Sequence, residues 1–330
     1  MDYRKICQNY LKGLNPRTLK IIERRFGLRK GKRETLEVIG QTLGLTRERV
    51  RQIEAEGLEE IKPKIKKDEK IFQRFNNAFI SFGGVKKEDD LLNFLGEGKY
   101  QNQVFFLLVN GGSFKRVLED DKFYTFWTAG KEFEKKAKET VKLVINNFKK
   151  EKTPFSLLDL AKKQNQEKKI TASYIGISKE IQKNLEGKYG LKNWLEINPK
   201  GIKDKAYLVL KRQEKPLHFR DIASLIEKLP FENRKAVHTA TVHNELIKDD
   251  RFVLVGRGLY ALADWGYMPG VVKDVIKNIL KESKRSLTKG QIFEKVQEQR
   301  FVKENTIFLN LQDKNLFARD EKGRYNIKEA

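Results

Sequence analysis

Two stretches of helical hydrophobic periodicity, separated by a glycine, constrain the fold of this chain more than any other feature. Leu36, Ile39 and Leu43 recur at i, i+3 and i+7, which places three apolar side chains on one side of a helix. Gly44 interrupts the pattern, and glycine readily adopts the left-handed conformation that a tight turn between helices needs. Thr46 follows as a predicted N-cap of a second helix running from about residue 47 to residue 61. The sequence therefore predicts a helix-turn-helix.

The second of these helices is predicted to have one apolar and one polar face. At 100° per residue, its inward side carries Val50, Ile53, Gly57 and Ile61. The outward side carries a row of hydrogen-bonding groups and one small residue, namely Arg47, Glu48, Arg51, Gln52 and Ala55. In the major groove Arg pairs with guanine, Gln with adenine, and Glu accepts from the cytosine amine. We therefore expect Arg47, Glu48 and Gln52 to read bases; the alternative is an amphipathic helical hairpin whose charged face is only solvated.

The same residues carry a resemblance to a known family. The segments LKIIERRFGL at 19–28, TLEVIG at 35–40 and LTRERVRQIEA at 45–55 resemble region four of bacterial primary sigma factors, over residues 15–62. The resemblance implies base contacts by Arg47, Glu48 and Gln52, backbone contacts at Thr46, Arg49 and Arg51, and docking on the β flap of RNA polymerase. Because only about 14 residues precede the module, we expect that the chain does not start transcription by itself.

Charge and composition point to a polyanionic partner and exclude several classes of protein. The 69 Lys and Arg residues against 45 Asp and Glu give a formal net charge of +24, and the excess is present throughout the chain. The longest apolar run, 104–109, is too short for a membrane helix. One cysteine, three histidines and the absence of phosphate-loop, GxSxG and HExxH motifs leave little for catalysis or metal binding. We expect a cytoplasmic, nucleoid-associated protein with no cofactor, metal or small-molecule substrate.

The remainder of the chain repeats one pattern of predicted elements. A helix is followed by a break, two more helices and a hairpin, and the breaks at Pro154, Pro216 and Ser286 mark the repeats. This is the order of a winged helix. We expect a mainly α-helical α+β fold, with small β-hairpins, in which an N-terminal helix-turn-helix precedes tandem winged-helix domains. The predicted domains are 1–68, 71–130, 131–200, 203–267 and 270–330.

The clearest repeat, 203–267, resembles the HARE-type winged helix of the delta subunit of bacterial RNA polymerase. The resemblance rests on PLHFRDIA at 216–223, TVHNELI at 241–247 and a hairpin ending at Trp265-Gly266. Its third helix is predicted near 239–247 with Val242, Leu246 and Ile247 facing inward. The outward residues Thr239, Thr241 and Asn244 are candidates for DNA contact, as is Arg257 at the hairpin tip. Relatives of this type also bind proteins, so both alternatives remain open.

Further expectations concern wing cations, histidines and aromatic residues. Lys115 and Arg116 precede a predicted wing and are further candidates for phosphate contact. His238 and His243 are five residues apart, not i, i+4, so we expect structural roles. Aromatic residues at periodic positions are expected in the core, and strands are predicted at 123–127 and 189–194.

Three functions are compatible with these patterns. The first is a sigma factor-like, DNA-binding transcription regulator that associates with RNA polymerase. The second is a polymerase accessory subunit, like delta, that acts mainly by protein contacts. The third is a DNA-modifying enzyme or its specificity subunit, although no metal-nuclease cluster of Asp, Glu and Lys is evident.

Overall fold

The computed structural model describes residues 1–29, 31–229 and 236–328. In this part of the chain the fold is mainly α-helical with short antiparallel β-sheets, which confirms the predicted fold class. The chain forms two compact units, Met1–Ile197 and Asn198–Ala330. The five-domain division stays a prediction.

Four helices begin the first unit: α1 (Tyr3–Leu11), α2 (Pro16–Phe26), α3 (Leu36–Leu43) and α4 (Arg47–Lys66). Pro16 opens α2, where its missing N–H costs nothing, and the side chain of Asn15 accepts a hydrogen bond from the backbone of Arg17. α4 is five residues longer than predicted and continues through Pro63. Because Ile61 and Ile65 are both fully buried, packing of the last turns offsets the hydrogen bond that proline removes.

The next segment adds a helix, a strand, two helices and a hairpin. These elements are α5 (Glu69–Ser81), β1 (Val85–Lys87), α6 (Glu88–Leu95), α7 (Gln101–Gly111), β2 (Lys115–Val117) and β3 (Phe126–Thr128). The strands form an antiparallel sheet in the order β1-β3-β2. The segment shares one hydrophobic core with α1, α2 and α4, which extends from Tyr3 to Trp127. The first 128 residues are therefore packed together across the predicted boundary near residue 70.

A similar order completes the first unit: α8 (Lys131–Glu151), α9 (Leu157–Lys163), α10 (Lys168–Gly176), β4 (Ile181–Lys183) and β5 (Tyr189–Leu191). β4 and β5 form an antiparallel hairpin, and Phe155 bridges to Tyr189 beside it. The two predicted strands are shorter than expected. The strand predicted at 123–127 is β3, which begins at Phe126, and the one at 189–194 is β5, which ends at Leu191.

The second unit begins with α11 (Ile202–Gln213), β6 (Leu217–His218), α12 (Phe219–Lys228), α13 (Thr239–Lys248), β7 (Phe252–Gly256) and β8 (Leu259–Leu262). The sheet order is β6-β8-β7. Val242 and Leu246 are buried as predicted, but the prediction for Ile247 was wrong, since its side chain is 63% exposed. Residue 247 lies 100° from residue 246 on the helix, which turns it away from the core.

The last segment contains α14 (Val272–Ser283), α15 (Lys289–Gln297), α16 (Glu304–Leu311), β9 (Phe317–Arg319) and β10 (Tyr325–Ile327). It is joined to β7 by a backbone hydrogen bond from Phe301 N to Val255 O. Arg300 is 2% exposed, and its guanidinium donates to the carbonyls of Met268, Gly270 and Gln299. These contacts satisfy the buried cation and fix the segment within the unit.

Candidate nucleic-acid interface

The turn between α3 and α4 is fixed by two glycines. Gly44 has a φ of 64°, in the left-handed region that favours glycine, and ends α3. The backbone N–H of Leu45 donates to the carbonyl of Gly40 at 2.9 Å. A Cβ atom at Gly40 would lie 2.6 Å from the carbonyl oxygen of Leu45, so only glycine fits at this crossing. The side chain of Thr46 then caps α4 by accepting from Arg49 N at 3.2 Å, as predicted from the sequence.

A small apolar cluster joins α2, α3 and α4 beside this turn. Ile21 of α2, Ile39 of α3, and Val50 and Ile53 of α4 are buried against one another. The inward side predicted for α4 is therefore confirmed at Val50 and Ile53. Burial on this side leaves the opposite side of the helix facing solvent.

α2 crosses α4 at a single small residue. A Cβ atom at Gly57 would lie 2.2 Å from Cγ2 of Thr18 and 3.0 Å from Cδ1 of Ile22. The absence of a side chain allows the two helices to approach this closely. This crossing helps set the direction in which the first turns of α4 project.

The first two turns of α4 present the predicted row of polar side chains to solvent. The exposed residues are Arg47, Glu48, Arg49, Arg51 and Gln52, with Thr46 at the N-cap. Two pairs form along the helix. The guanidinium of Arg51 donates to both oxygens of Glu48, at 2.9 and 2.7 Å, and Nη1 of Arg49 donates to Oε1 of Gln52 at 3.1 Å. The hydrogen-bonding groups are thus arranged on one face before any ligand is bound.

The Glu48–Arg51 pair favours the ionised form of the one acidic residue in this row. Hydrogen bonding from Arg51 lowers the pKa of the Glu48 carboxyl below its ordinary value. Glu48 is therefore ionised at neutral pH and can act only as an acceptor. An acceptor at this position suits the exocyclic amine of cytosine.

A group of ion pairs, which sequence reasoning missed, braces the helix-turn-helix. Nε of Arg24 donates to Glu34 at 3.0 Å, and its Nη2 donates to Thr42 at 3.1 Å. Arg25 donates to the carbonyl of Glu34 and lies 3.5 Å from the carboxylate of Glu54. The Arg24 hydrogen bond lowers the pKa of Glu34, whereas burial raises the pKa of Glu54. These contacts are between residues 9 to 29 positions apart, beyond the range of helical spacing.

Comparison with known proteins assigns this region. Residues 10–62 match the family Sigma-70, region 4. RNA polymerase sigma factor SigA of Microcystis aeruginosa is 44% identical over 59 residues, which cover 18% of this chain and 14% of SigA. RNA polymerase principal sigma factor HrdD of Streptomyces coelicolor is 51% identical over 49 residues, 15% of each chain. The similarity therefore spans a small part of these relatives, and it coincides with the helix-turn-helix, here named the sigma-like module (residues 10–62).

α7 and α10, the third helices of the next two segments of the chain, are buried against preceding parts of the first unit. α7 packs against α1, α2 and α4. Its buried Gln103 donates to the carbonyl of Leu28 at 2.9 Å, and Asn102 donates to the carbonyls of Gly27 and Gly31. α10 packs against β1, where Ser173 donates to the carbonyl of Val85 and Tyr174 to that of Gly83. Most of the side chains of both helices are therefore covered by other parts of the chain.

α13, the third helix in the first segment of the second unit, has one side exposed to solvent. Thr239, Thr241 and Asn244 are exposed on α13, and Arg257 is exposed in the two-residue turn between β7 and β8. The structure thus places all four candidate residues at the surface. His243 lies between the rings of Phe219 and Tyr260, with centroid distances of 4.4 and 5.9 Å, in the structural setting expected for it.

Lys115 and Arg116, the candidate wing cations, are both paired with acidic residues, and a role in phosphate contact stays a prediction. Both residues lie in β2, and the guanidinium of Arg116 donates to the carboxylate of Glu88, at 2.6 Å from Nη2. Trp127 donates to the same carboxylate at 2.9 Å. Lys115 lies 3.3 Å from Glu134. These cations therefore hold the sheet to its neighbouring helices.

Among the described residues, no group of three or more His, Cys, Asp and Glu is placed to hold a metal ion. No helix in the same part of the chain is both long and apolar enough to span a bilayer. Cys7 is buried, and burial raises the pKa of its thiol to about 12.

Proposed function

We propose that this chain is a DNA-binding transcription regulator that reads a promoter-type duplex element through the exposed face of α4. The observation that carries the proposal is the solvent-facing row Arg47, Glu48, Arg49, Arg51 and Gln52 on a helix-turn-helix. A helix of this size enters the major groove of B-DNA. The similarity of residues 10–62 to sigma-70 region 4 supports the same reading.

The residue types indicate which side chains contact bases and which contact the DNA backbone. Arg47, Glu48 and Gln52 are proposed to read base edges, because their side chains match guanine, cytosine and adenine. Thr46, Arg49 and Arg51 are proposed to contact the backbone, since phosphate contacts fix the register of a helix in the groove. The chain acts in this proposal as a binding protein, without a catalytic residue or cofactor.

A second contact with duplex is proposed for the second unit. α13 is open on the side of Thr239, Thr241 and Asn244, and Arg257 lies in an exposed turn. α7 and α10 lack such an opening because each is packed against other elements. Of the three helices α7, α10 and α13, the proposal therefore assigns the contact to α13.

Association with RNA polymerase, including its β flap, belongs to the same proposal and implies a cytoplasmic, nucleoid-associated protein. The printed names of the relatives are RNA polymerase sigma factors. In this chain α7 covers the apolar side of α1, α2 and α4, with Phe106, Leu107 and Leu108 buried in the shared core. A polymerase contact that leaves this core intact uses the outer, polar surface of the module.

Binding-site selection from a random duplex library with the full chain tests the proposal. We expect a short enriched motif, and an affinity whose logarithm falls with the logarithm of salt concentration by about 0.9 per phosphate neutralised. Failure to enrich any motif, together with affinity that is flat in salt, would contradict it.

An accessory polymerase subunit acting by protein contacts is the second candidate. It is supported by α7 and α10, the third helices of their segments, because both pack against other parts of this chain. Crosslinking in cells, followed by mapping of the recovered DNA with and without a block on polymerase loading, separates the two. Peaks that survive the block support autonomous reading, and peaks that vanish support recruitment by polymerase.

A further inference from the structure

One face of α8 carries a row of lysines without acidic partners. Lys131, Lys135, Lys142 and Lys149 are all exposed, and at 100° per residue they fall within about 40° of one line along the helix. We call these four residues the α8 lysine stripe. From Lys131 to Lys149 the stripe is about 27 Å long, at 1.5 Å per residue. Within the described residues none of the four forms an ion pair.

The acidic residues near the stripe do not neutralise it. Glu134 lies on one flank and is already bound by two other cations, Lys138 at 2.8 Å and Lys115 at 3.3 Å. The hydrogen bond from Lys138, and to a smaller extent the one from Lys115, lowers the pKa of Glu134, which therefore stays ionised and paired. Glu132 and Glu139 lie on the other flank, between about 40° and 100° around the helix from the stripe lysines, and among the described residues neither forms an ion pair with them. The stripe thus remains a line of four unpaired positive charges.

The residue type indicates a polyanion of regular spacing. Lysine is a compact charge on a flexible stem, which suits phosphates and carries no planar pattern for reading bases. Duplex DNA carries a phosphate every 3.4 Å of axis on each strand, so a 27 Å line spans about eight base-pair steps and can reach the phosphates on the facing side of the duplex. Protein interfaces are depleted in lysine and enriched in aromatic side chains, and the stripe contains no aromatic residue.

We infer that the α8 lysine stripe binds the phosphate backbone of duplex DNA without regard to sequence. The inference rests on the proposed function in that the same DNA is the ligand, but it assigns a surface separate from α4. Its role is to add affinity, and the selected motif is unaffected by it. The stripe and the face of α4 therefore act on different measurable quantities.

The test replaces all four stripe lysines by glutamine in the full chain, which keeps a good helix former at each position. A matched control replaces four other exposed lysines: Lys136 and Lys150 on the remaining surface of α8, and Lys273 and Lys277 on α14. Fluorescence anisotropy with a random-sequence 40-base-pair duplex is measured over a range of salt concentrations. Circular dichroism confirms that both variants remain folded.

We expect the stripe variant to lose about 0.9 of salt slope for each phosphate contact removed, and between about tenfold and a hundredfold in affinity at moderate salt. The control should keep nearly all of both. Equal losses in the two variants, or no loss in the stripe variant, would overturn the inference while leaving α4 untouched. Absence of duplex binding by the unmodified chain would instead contradict the proposed function. If the stripe variant bound duplex as well as the unmodified chain does, and lost binding only to an acidic protein, the inference would also be overturned.

Discussion

The carboxylate of Glu48 accepts two hydrogen bonds from the guanidinium of Arg51, one helical turn away, on the exposed face of α4. A parallel pair joins Arg49 to Gln52. For α4 to enter a DNA groove, these side chains must give up their hydrogen bonds to one another and form hydrogen bonds to bases and phosphates instead. Because exposed ion pairs contribute little to stability, the exchange costs little. The two pairs therefore orient the side chains of the row, and they can be broken at little cost in free energy.

The Glu48–Arg51 pair predicts a pH signature. Since Arg51 lowers the pKa of Glu48 in the folded chain, the pair is present above the ordinary carboxyl pKa of about 4.3 and is lost as pH falls through the lowered value. Replacing Arg51 by Gln should return the Glu48 pKa toward that ordinary value. A carbon-detected NMR titration of the carboxyl group measures this, and an unchanged pKa in the variant would show that the pair does not form in solution.

Gly57 predicts a sharp packing effect. Gly57→Ala places a methyl group 2.2 Å from Cγ2 of Thr18, and we expect a loss of about 1–3 kcal/mol in the free energy of unfolding. Thr18→Ser removes that Cγ2 atom and should recover part of the loss in the double variant. Glu60→Ala, at an exposed position of α4, should change stability by less than about 0.5 kcal/mol. Denaturant unfolding checks all three, and a neutral Gly57→Ala would mean that α2 and α4 are farther apart.

Gln103 predicts that α7 holds the loop before α3. Gln103→Ala leaves the carbonyl of Leu28 without its donor in a buried site, at a cost of about 1–3 kcal/mol. Amide hydrogen exchange should then be faster in residues 27–29 and 31–34 than in the unmodified chain. Gln101→Ala, on an exposed position of the same helix, serves as the control. Equal exchange in both variants would argue against the hydrogen bond.

Asp249 predicts acid sensitivity of the second unit. Its carboxylate accepts from the side chain of Arg251 at 2.8 Å through both oxygens, and this lowers its pKa. The resulting stability, about 1–2 kcal/mol, is present above the ordinary aspartate pKa of about 3.9 and is lost as pH falls through the lowered value.

Asp249→Asn should therefore destabilise residues 198–330 at neutral pH and have a smaller effect near pH 3. The neighbouring exposed Asp250→Asn is the matched control. Hydrogen exchange in α11 and β7 reports on this unit in the full chain. If both variants behaved alike at every pH, the Asp249–Arg251 contact would carry no stability.

The sequence was sufficient for local features and insufficient for distant ones. The burial of Val50, Ile53, Gly57 and Ile61 follows from helical periodicity alone, because their spacing leaves one consistent inward side. The same reasoning placed Ile247 inward, although neighbouring Leu246 already fills that side. Periodicity identifies a face, but its edges depend on what packs against it.

The packing between segments could not be predicted from the sequence. α7 has apolar residues on most sides, which is consistent with a core helix but does not say against what it packs. Arg116 carries the charge of a wing cation, yet its partner Glu88 lies 28 residues earlier in the chain. The outward row on α4 was predictable because it lies opposite a periodic apolar side, whereas ion pairs such as Arg24–Glu34 depend on tertiary contacts.

Binding-site selection with Glu48→Ala and Gln52→Ala in the full chain tests the role of α4 most directly. Glu60→Ala removes a charge from the same helix on a different face and is the control. We predict that each test variant loses preference at one base pair of the motif, by about 1–3 kcal/mol, while the control selects the unmodified motif. If all three variants selected the same motif as the unmodified chain, the face of α4 would not be the surface that reads DNA.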